Sequence, residues 1–297
     1  MRKQDKYTIG LIQMAMGRDR AENLARAQER IVEAVDRGAQ VVCLPELFLT
    51  PYFCQVEDFS NFDLAEPVPG PTTEALGQLA GRLGIVLVAP VFERRAKGVY
   101  HNSVAVLDES GRLVGHYRKM HIPDDPAFYE KFYFTPGDLG FQPVATRFGR
   151  LGILICWDQW FPEAARLTAL AGADVLIYPT AIGWHPSEKP RLGDQQREAW
   201  IVSQRAHAIA NGVFVAAINR VGHELPQSGN DEGIEFWGSS FVAEPFGQVL
   251  VQGPENAETV LVAEIDPARI EATRRAWPFL RDRRVDAYEG LSRRMIE

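Results

Sequence analysis

Glu46, Lys119 and Cys156 are the side chains of this sequence whose types and settings could combine into nucleophilic chemistry. A thiol attacks only as its thiolate, so Cys156 needs a group to take its proton, and a positioned carboxylate such as Glu46 can act as that base. A lysine ammonium such as Lys119 would hold the negative charge that develops on oxygen when the sulfur adds to a carbonyl-type carbon. The amide N–H of Trp157, at the turn after the nucleophile, would be a second donor to that oxygen. Taken singly, each residue has a bland explanation: a Glu or Lys after a strand is where the chain meets water, and a lone Cys is a small buried hydrophobe. Their common placement joins them. Each falls directly after an apolar strand-like run, and strand ends are where layered α/β sheets bind ligands.

Apolar periodicity gives the elements that must position them. Thr8 to Gln13 reads as a strand, and Glu22 to Arg37 carries Leu24, Ala27, Ile31 and Ala34 at helical spacing before Gly38. Val41 to Leu44 is too short for a helix and is closed by Pro45, so it reads as a buried strand ending at Glu46. Thr72 to Leu83 is a second helix stopped by Gly84, feeding a strand from Ile85 to Val91. Asn102 to Leu107 and Arg112 to Arg118 flank Asp108-Glu109-Ser110-Gly111, a hairpin signal, with Lys119 just beyond. Leu151 to Ile155 is a strand ending at Cys156, and Pro162 opens a helix that runs to about Gly172. Asp174 to Tyr178 and Val213 to Asn219 read as strands around a helix from Gln196 to Asn211. Trp237 to Ala243, Gln248 to Val251 and Thr259 to Ile265 complete the strands. This alternation predicts a layered α/β protein with mixed sheets beneath helices. No linker, repeat or low-complexity tract interrupts residues 1–297, so one domain is expected. The longest non-periodic stretch, His121 to Gly140, is expected to be a functional surface loop.

Composition narrows the function classes. With 297 residues, 46% hydrophobic and 24% charged, the chain has an ordinary globular balance, and its net charge of −7 disfavours nucleic acid and anionic membranes as partners. The charged start, Met1 to Tyr7, leads directly into an apolar strand, with no signal-type core and no long apolar span, so a cytoplasmic location is expected. Cys43, Cys54 and Cys156 are too few and irregular for a disulfide framework or a zinc site, and neither His116 nor His121 belongs to a metal-binding spacing. Neither a metal nor a cofactor is expected. The arginines from Arg274 to Arg284 alternate with Asp282 and Asp286, as a solvated ion-pair face or a subunit contact would.

Leu44-Pro45-Glu46-Leu47-Phe48, Tyr117-Arg118-Lys119-Met120-His121 and Ile155-Cys156-Trp157-Asp158 resemble the three signature segments of the nitrilase superfamily, in the same order. The resemblance runs over nearly the whole chain and is strongest to the branch that hydrolyses N-carbamoylputrescine. Pro51 to Cys54, His121 to Asp124, Glu130 to Phe134, Cys156 to Arg166, Tyr178 to Gly183 and Arg281 to Arg284 are similar to that branch. It implies a four-layer αββα sandwich that pairs into a homo-oligomer, a dimer at least. It also implies Cys156 as nucleophile, Glu46 as base, Lys119 as oxyanion support and Glu130 as a second active-site glutamate. The implied reaction releases ammonia, leaves a thioester on Cys156 and hydrolyses it to a carbamic acid, which decays to amine and carbon dioxide.

An ammonium-bearing substrate should meet carboxylates and aromatic faces at the far end of its pocket. Tyr52, Asp124, Trp157, His185 and Glu188 are the candidates, with Asp125 and Trp184 equally readable as a loop charge and a core aromatic. Members of the similar branch commonly place an acid where His185 stands, and imidazole is a poorer partner for a cation, so Glu188 would substitute or the substrate differs. The alternatives are an N-carbamoyl amino acid hydrolase or an ω-amidase on dicarboxylic monoamides, for which a basic pocket around His185 and Lys189 would speak. A catalytically silent scaffold is the non-enzyme alternative, disfavoured because a scaffold has no need of all three reactive groups.

Overall fold

A computed structural model describes residues 6–228 and 232–296. Two six-stranded sheets organise them. In the first, the order across the sheet is Thr259–Ile265, Tyr7–Gln13, Val41–Cys43, Val86–Ala96, Val99–Leu107 and Leu113–Arg118. In the second it is Val249–Gln252, Phe241–Ala243, Phe214–Ile218, Val175–Pro179, Arg150–Ile153 and Val144–Ala145. Each sheet has a parallel middle with antiparallel strands outside it. Parallel neighbours need crossovers, and the helices supply them: Arg20–Asp36 and Pro71–Leu83 in the first sheet, Pro162–Leu170 and Lys189–Asn211 in the second.

Side-chain alternation sorts the layers. Ile9, Leu11, Val41 and Cys43 face the second sheet and share one apolar cluster with Ile153, Val175 and Ile177. Their neighbours Ile12, Val42 and Leu44 face the other way, against Ala27, Ile31, Leu76 and Leu79 of the two outer helices. Ala164, Ala165, Trp200 and Ala208 cover the far side of the second sheet. The result is an αββα sandwich. Its helices start and stop for local reasons: Asp19 caps Arg20–Asp36 by accepting from Ala21 N and Glu22 N, and Gly84 ends Pro71–Leu83 at φ +67°.

Three sequence expectations need correction, and one helix lies outside them. Trp237 to Ala243 is not one strand: Ile234–Trp237 joins a small sheet with Val221–Glu224 and Gly183–Trp184, while Phe241–Ala243 belongs to the second large sheet. Gly238 and Ser239, at φ +49° and +55°, turn the chain between them. His121 to Gly140 is not a surface loop throughout, since it contains the short helix Glu130–Tyr133 and buries Tyr133 and Phe134 in an aromatic cluster with Phe53 and Phe92. The second crossover helix begins at Lys189, seven residues before Gln196, because Pro190 at its start needs no hydrogen-bond partner for its nitrogen. Pro267–Ala276 forms a helix that apolar periodicity did not mark, its only buried residue being Ile270.

Candidate active site

Cys156 sits where the strand Arg150–Ile153 turns into the short 3₁₀ helix Cys156–Trp160. Its φ of +41° lies in the left-handed region, a conformation that an L-residue holds only under constraint from its surroundings. Asp158 supplies that constraint. Its buried carboxylate accepts from Ile155 N at 2.9 Å and Tyr117 Oη at 2.7 Å through Oδ2, and from His121 N at 3.0 Å and His121 Nδ1 at 2.7 Å through Oδ1. One carboxylate thus ties the turn of Cys156 to residues on both sides of Lys119. The Cys156 thiol donates to Ala181 O at 3.8 Å. Burial, then the negative field of Glu46, pushes the thiol well above its ordinary range, with Lys119 opposing. To attack a carbonyl-type carbon, a thiol held up in this way would need a base to take its proton.

The base candidate and the cation lie at the ends of first-sheet strands. Pro45-Glu46 follows Val41–Cys43, and Lys119 follows Leu113–Arg118. Lys119 Nζ donates to Glu46 Oε1 at 2.8 Å and to Glu130 Oε2 at 2.7 Å, and all three residues are fully buried. Asn102 Nδ2 also donates to Glu46 Oε1, at 2.6 Å, whereas Glu46 Oε2 is buried with no hydrogen-bond partner among the described residues. Tyr52 Oη donates to the remaining oxygen of Glu130 at 2.7 Å. Burial disfavours the charge of Lys119, but Glu130 and Glu46 outweigh it and hold the ammonium well above its ordinary value. Two buried carboxylates against one ammonium leave an excess negative charge. Burial and the repulsion of Glu46 push Glu130 up to about 7, against the pull of Lys119.

A cleft of about 440 Å³ opens onto Cys156 and Glu130. Trp157, His185 and Glu188 line it, as do Asp125, Trp160 and Trp237. Two of the expected substrate contacts lie elsewhere. Asp124 is outside the cleft, its carboxylate 4.0 Å from Lys131 at the surface, and its neighbour Asp125, also exposed, is the one that lines the cleft. Tyr52 is 1% exposed and spends its hydroxyl on Glu130, so it holds a neighbour and leaves the cleft wall to others. Trp184 is a core aromatic, donating to Gly193 O at 2.9 Å. Lys189 ion-pairs with Glu235 at 2.6 Å and lies 4.6 Å above the Trp184 ring, outside the cleft wall. Among the described residues no group of three His, Cys, Asp or Glu side chains is placed to hold a metal.

Sequence reasoning passed over Asn102, Asp158, Asn219 and Arg220. The available signal was the same for each: a polar or charged residue inside or directly after an apolar run, where it cannot remain unpaired. Asn219 clasps the wall beside Cys156 by accepting from Ile182 N at 3.1 Å and donating to Ile182 O at 3.0 Å.

Comparison with known proteins accords with this geometry. Residues 8–275 match the family described as carbon–nitrogen hydrolase. An N-carbamoylputrescine amidase of Solanum lycopersicum is 43% identical, covering 97% of this chain and 96% of its own. A citrullinase of Francisella tularensis is 38% identical over 96% of this chain and 98% of its own. Among solved structures, a carbon–nitrogen hydrolase from Helicobacter pylori G27 superposes with a TM-score of 0.96 at 47% identity, covering 98% of this chain and 100% of that one.

Proposed function

Because this chain belongs to the carbon–nitrogen hydrolase family, whose members attack C–N bonds other than peptide bonds, we propose that it hydrolyses the carbamoyl group of a small ureido compound ending in an ammonium, with N-carbamoylputrescine as the first substrate. One observation carries the choice of substrate: the charged side chains lining the cleft are Asp125, Glu130 and Glu188, with His185 the one basic group and no Lys or Arg among the described lining residues. Glu130 is paired with Lys119, but an anionic monoamide would still meet the carboxylates of Glu188 and Asp125, whereas an ammonium would find partners in them and in the aromatic faces of Trp157 and Trp160. His185 gives a zwitterion such as citrulline a partner for its carboxylate, and makes it the second substrate to examine.

In the proposed reaction Glu46 Oε2 takes the proton of Cys156 as sulfur adds to the ureido carbon, and Lys119, with the Trp157 amide, stabilises the oxygen that becomes negative. Collapse transfers the proton to the terminal nitrogen and expels ammonia, leaving a carbamoyl thioester on Cys156. Water, deprotonated by Glu46, then releases the carbamic acid and restores the thiol; the acid loses carbon dioxide to give the amine. Glu130 keeps Lys119 in place between the two carboxylates. No cofactor takes part.

We further infer a cytoplasmic homo-oligomer, a dimer at least. The free thiols Cys43, Cys54 and Cys156 suit a reducing compartment, and no described helix is long and apolar enough to cross a membrane. Leu167, Leu170, Val202 and Ile209 are exposed on the outer helices of the second sheet, a surface suited to a second copy.

Ammonia release tests the substrate reading. N-carbamoylputrescine should be preferred over N-carbamoyl-β-alanine and a dicarboxylic monoamide, and the activity should vanish in Cys156→Ala. Preference for an anionic substrate would overturn the choice of substrate while leaving the nucleophile in place.

A further inference from the structure

The segment that carries Glu46 does not hold itself in place. Directly after Glu46, Leu47 adopts φ +50°, and the chain doubles back so that Thr50 N donates to Leu47 O at 3.3 Å. Two carbonyls of this strained turn, Leu47 O and Thr50 O, point to one donor. Arg220 is fully buried, and its Nη2 donates to Leu47 O at 3.0 Å and also to Thr50 O. Its Nη1 meets the Glu224 carboxylate at 3.2 Å, and its guanidinium lies 5.4 Å from the centre of the Phe236 ring. Glu224 Oε2 in turn accepts from Tyr52 N at 2.6 Å. Tyr52 is the residue whose hydroxyl holds Glu130.

Arg220 belongs to the nucleophile's half of the sandwich. It follows Phe214–Ile218, which pairs with Val175–Pro179, which pairs with the strand leading to Cys156. The preceding residue, Asn219, holds the backbone beside Cys156 at Ile182. Two consecutive side chains therefore reach in opposite directions: Asn219 to the wall beside the thiol and Arg220 across to the loop of the base. A buried charge pair is a costly way to gain stability alone, since apolar residues of similar volume often do as well. What an arginine adds is a rigid fork that fixes several acceptors at once.

We propose that Arg220 and Glu224 are positioning residues which set Glu46 and, through Tyr52, Glu130 at working distance from Cys156. This rests on the assignment of Glu46 as base to Cys156, but its test does not require the substrate to be right. A displacement of about 1 Å in a catalytic group can lower a rate by about a hundredfold.

Alkylation of Cys156 in the full-length protein by iodoacetamide, followed across pH by the mass of the peptide that carries it, needs no substrate and reads how readily the thiol gives its proton to Glu46 as sulfur attacks, with Glu46→Gln as the reference. Arg220→Met is expected to slow alkylation about as much as Glu46→Gln does, and Arg220→Lys, which can still reach one carbonyl, should recover part of the loss. Tyr52→Phe removes only the hydroxyl facing Glu130. Lys119, Glu46, Tyr52 and the thiols of Cys54 and Cys156 face this carboxyl, and of these the Tyr52 hydroxyl is a hydrogen-bond donor that favours its charged form, so the limb of the profile belonging to Glu130 should move to higher pH. Should Arg220→Met fail to fold, Arg220→Lys and Tyr52→Phe carry the test. Folded variants that alkylate like wild type at every pH would overturn the positioning role, whatever the substrate panel gives. Failure of ammonia release with intact, Arg220-dependent alkylation would overturn only the substrate.

Discussion

Glu46 gives one carboxylate oxygen to Lys119, at 2.8 Å, and keeps the other buried without a hydrogen-bond partner among the described residues. A carboxylate tied only to cations and amides would be held in place but too well satisfied to accept another proton readily. A split carboxylate is both held and available. Glu46→Gln keeps an acceptor for Asn102 and Lys119 but loses the free anionic oxygen, so the fold should be retained while turnover falls by about 10²- to 10⁴-fold. Ammonia release beside a thermal melt checks this, and a folded variant with near-normal turnover would remove Glu46 from the base role.

The φ of +41° at Cys156 separates the side chain's role from the backbone's. Cys156→Ala and Cys156→Gly both lose the sulfur and should both lose turnover. Glycine alone is at ease in the left-handed region, where an L-residue is worse by roughly 1–2 kcal/mol, while its added chain entropy costs about 0.5–1 kcal/mol. Cys156→Gly is therefore expected to melt at or above Cys156→Ala. Thermal unfolding of the two inactive proteins decides it, and a clearly lower melt for the glycine variant would mean that the turn relaxes once sulfur is absent.

How much of this was legible beforehand differs between residues. Glu46, Lys119 and Cys156 stand out because each reactive group follows a short apolar run; the fold puts each just beyond a strand, with Lys119 hydrogen-bonded to Glu46 and Cys156 opening onto the cleft. The strand Thr259–Ile265 was found to the residue, since its apolar content and its boundaries coincide. Asp124 and Tyr52 were placed wrongly for a different reason: sequence order says which residues are near a site, while loop torsions decide which of two neighbours faces it. Arg220 was invisible in the same way, because its acceptors Leu47 O and Thr50 O lie about 170 positions earlier in the chain. A buried guanidinium is readable as needing partners, but not as needing those.

Glu130 makes stability depend on pH. Burial and the field of Glu46 raise it from 4.5 to about 7 in the folded protein, so between these values the folded state binds a proton that the unfolded chain has released. Its contribution to stability is fully present below about 4.5 and is lost as pH rises through about 7. Glu130→Gln, neutral at every pH, should flatten the stability profile across that window. Denaturant unfolding from pH 5 to 8 measures it. An unchanged slope in the variant would assign the proton uptake to another group.

Asp158 is expected to be the residue whose loss damages the site without touching substrate. Four hydrogen bonds from Ile155, Tyr117 and His121 converge on its buried carboxylate. Asp158→Ala would leave these donors unsatisfied, at about 1–3 kcal/mol for each that finds no water, so it should be strongly destabilising. Asp158→Asn is the sharper variant, because its amide keeps one accepting oxygen and turns two hydrogens toward groups that also donate. It should fold with a lower melting temperature and lose kcat more than KM, since the turn of Cys156 and the segment around Lys119 would no longer share one anchor. Loss of KM alone would place the effect on the cleft wall.

His185 is the residue on which the choice between two ureido substrates turns. It lines the cleft with Glu188 and Asp125, and its ring lies 6.0 Å from that of Phe128, edge to face. For N-carbamoylputrescine, whose free end is only an ammonium, an imidazole supplies no opposite charge and Glu188 must do the work. For citrulline, the same imidazole can donate to the carboxylate beside the ammonium. His185→Asp should therefore raise kcat/KM for N-carbamoylputrescine and lower it for citrulline, each by about tenfold for a single charged contact of about 1.4 kcal/mol. Glu188→Gln should weaken both, mainly through KM. Paired kinetics on the two substrates separate the cases: opposite shifts in His185→Asp place the imidazole at the substrate's charged end, and parallel shifts would show that His185 shapes the cleft without reading charge.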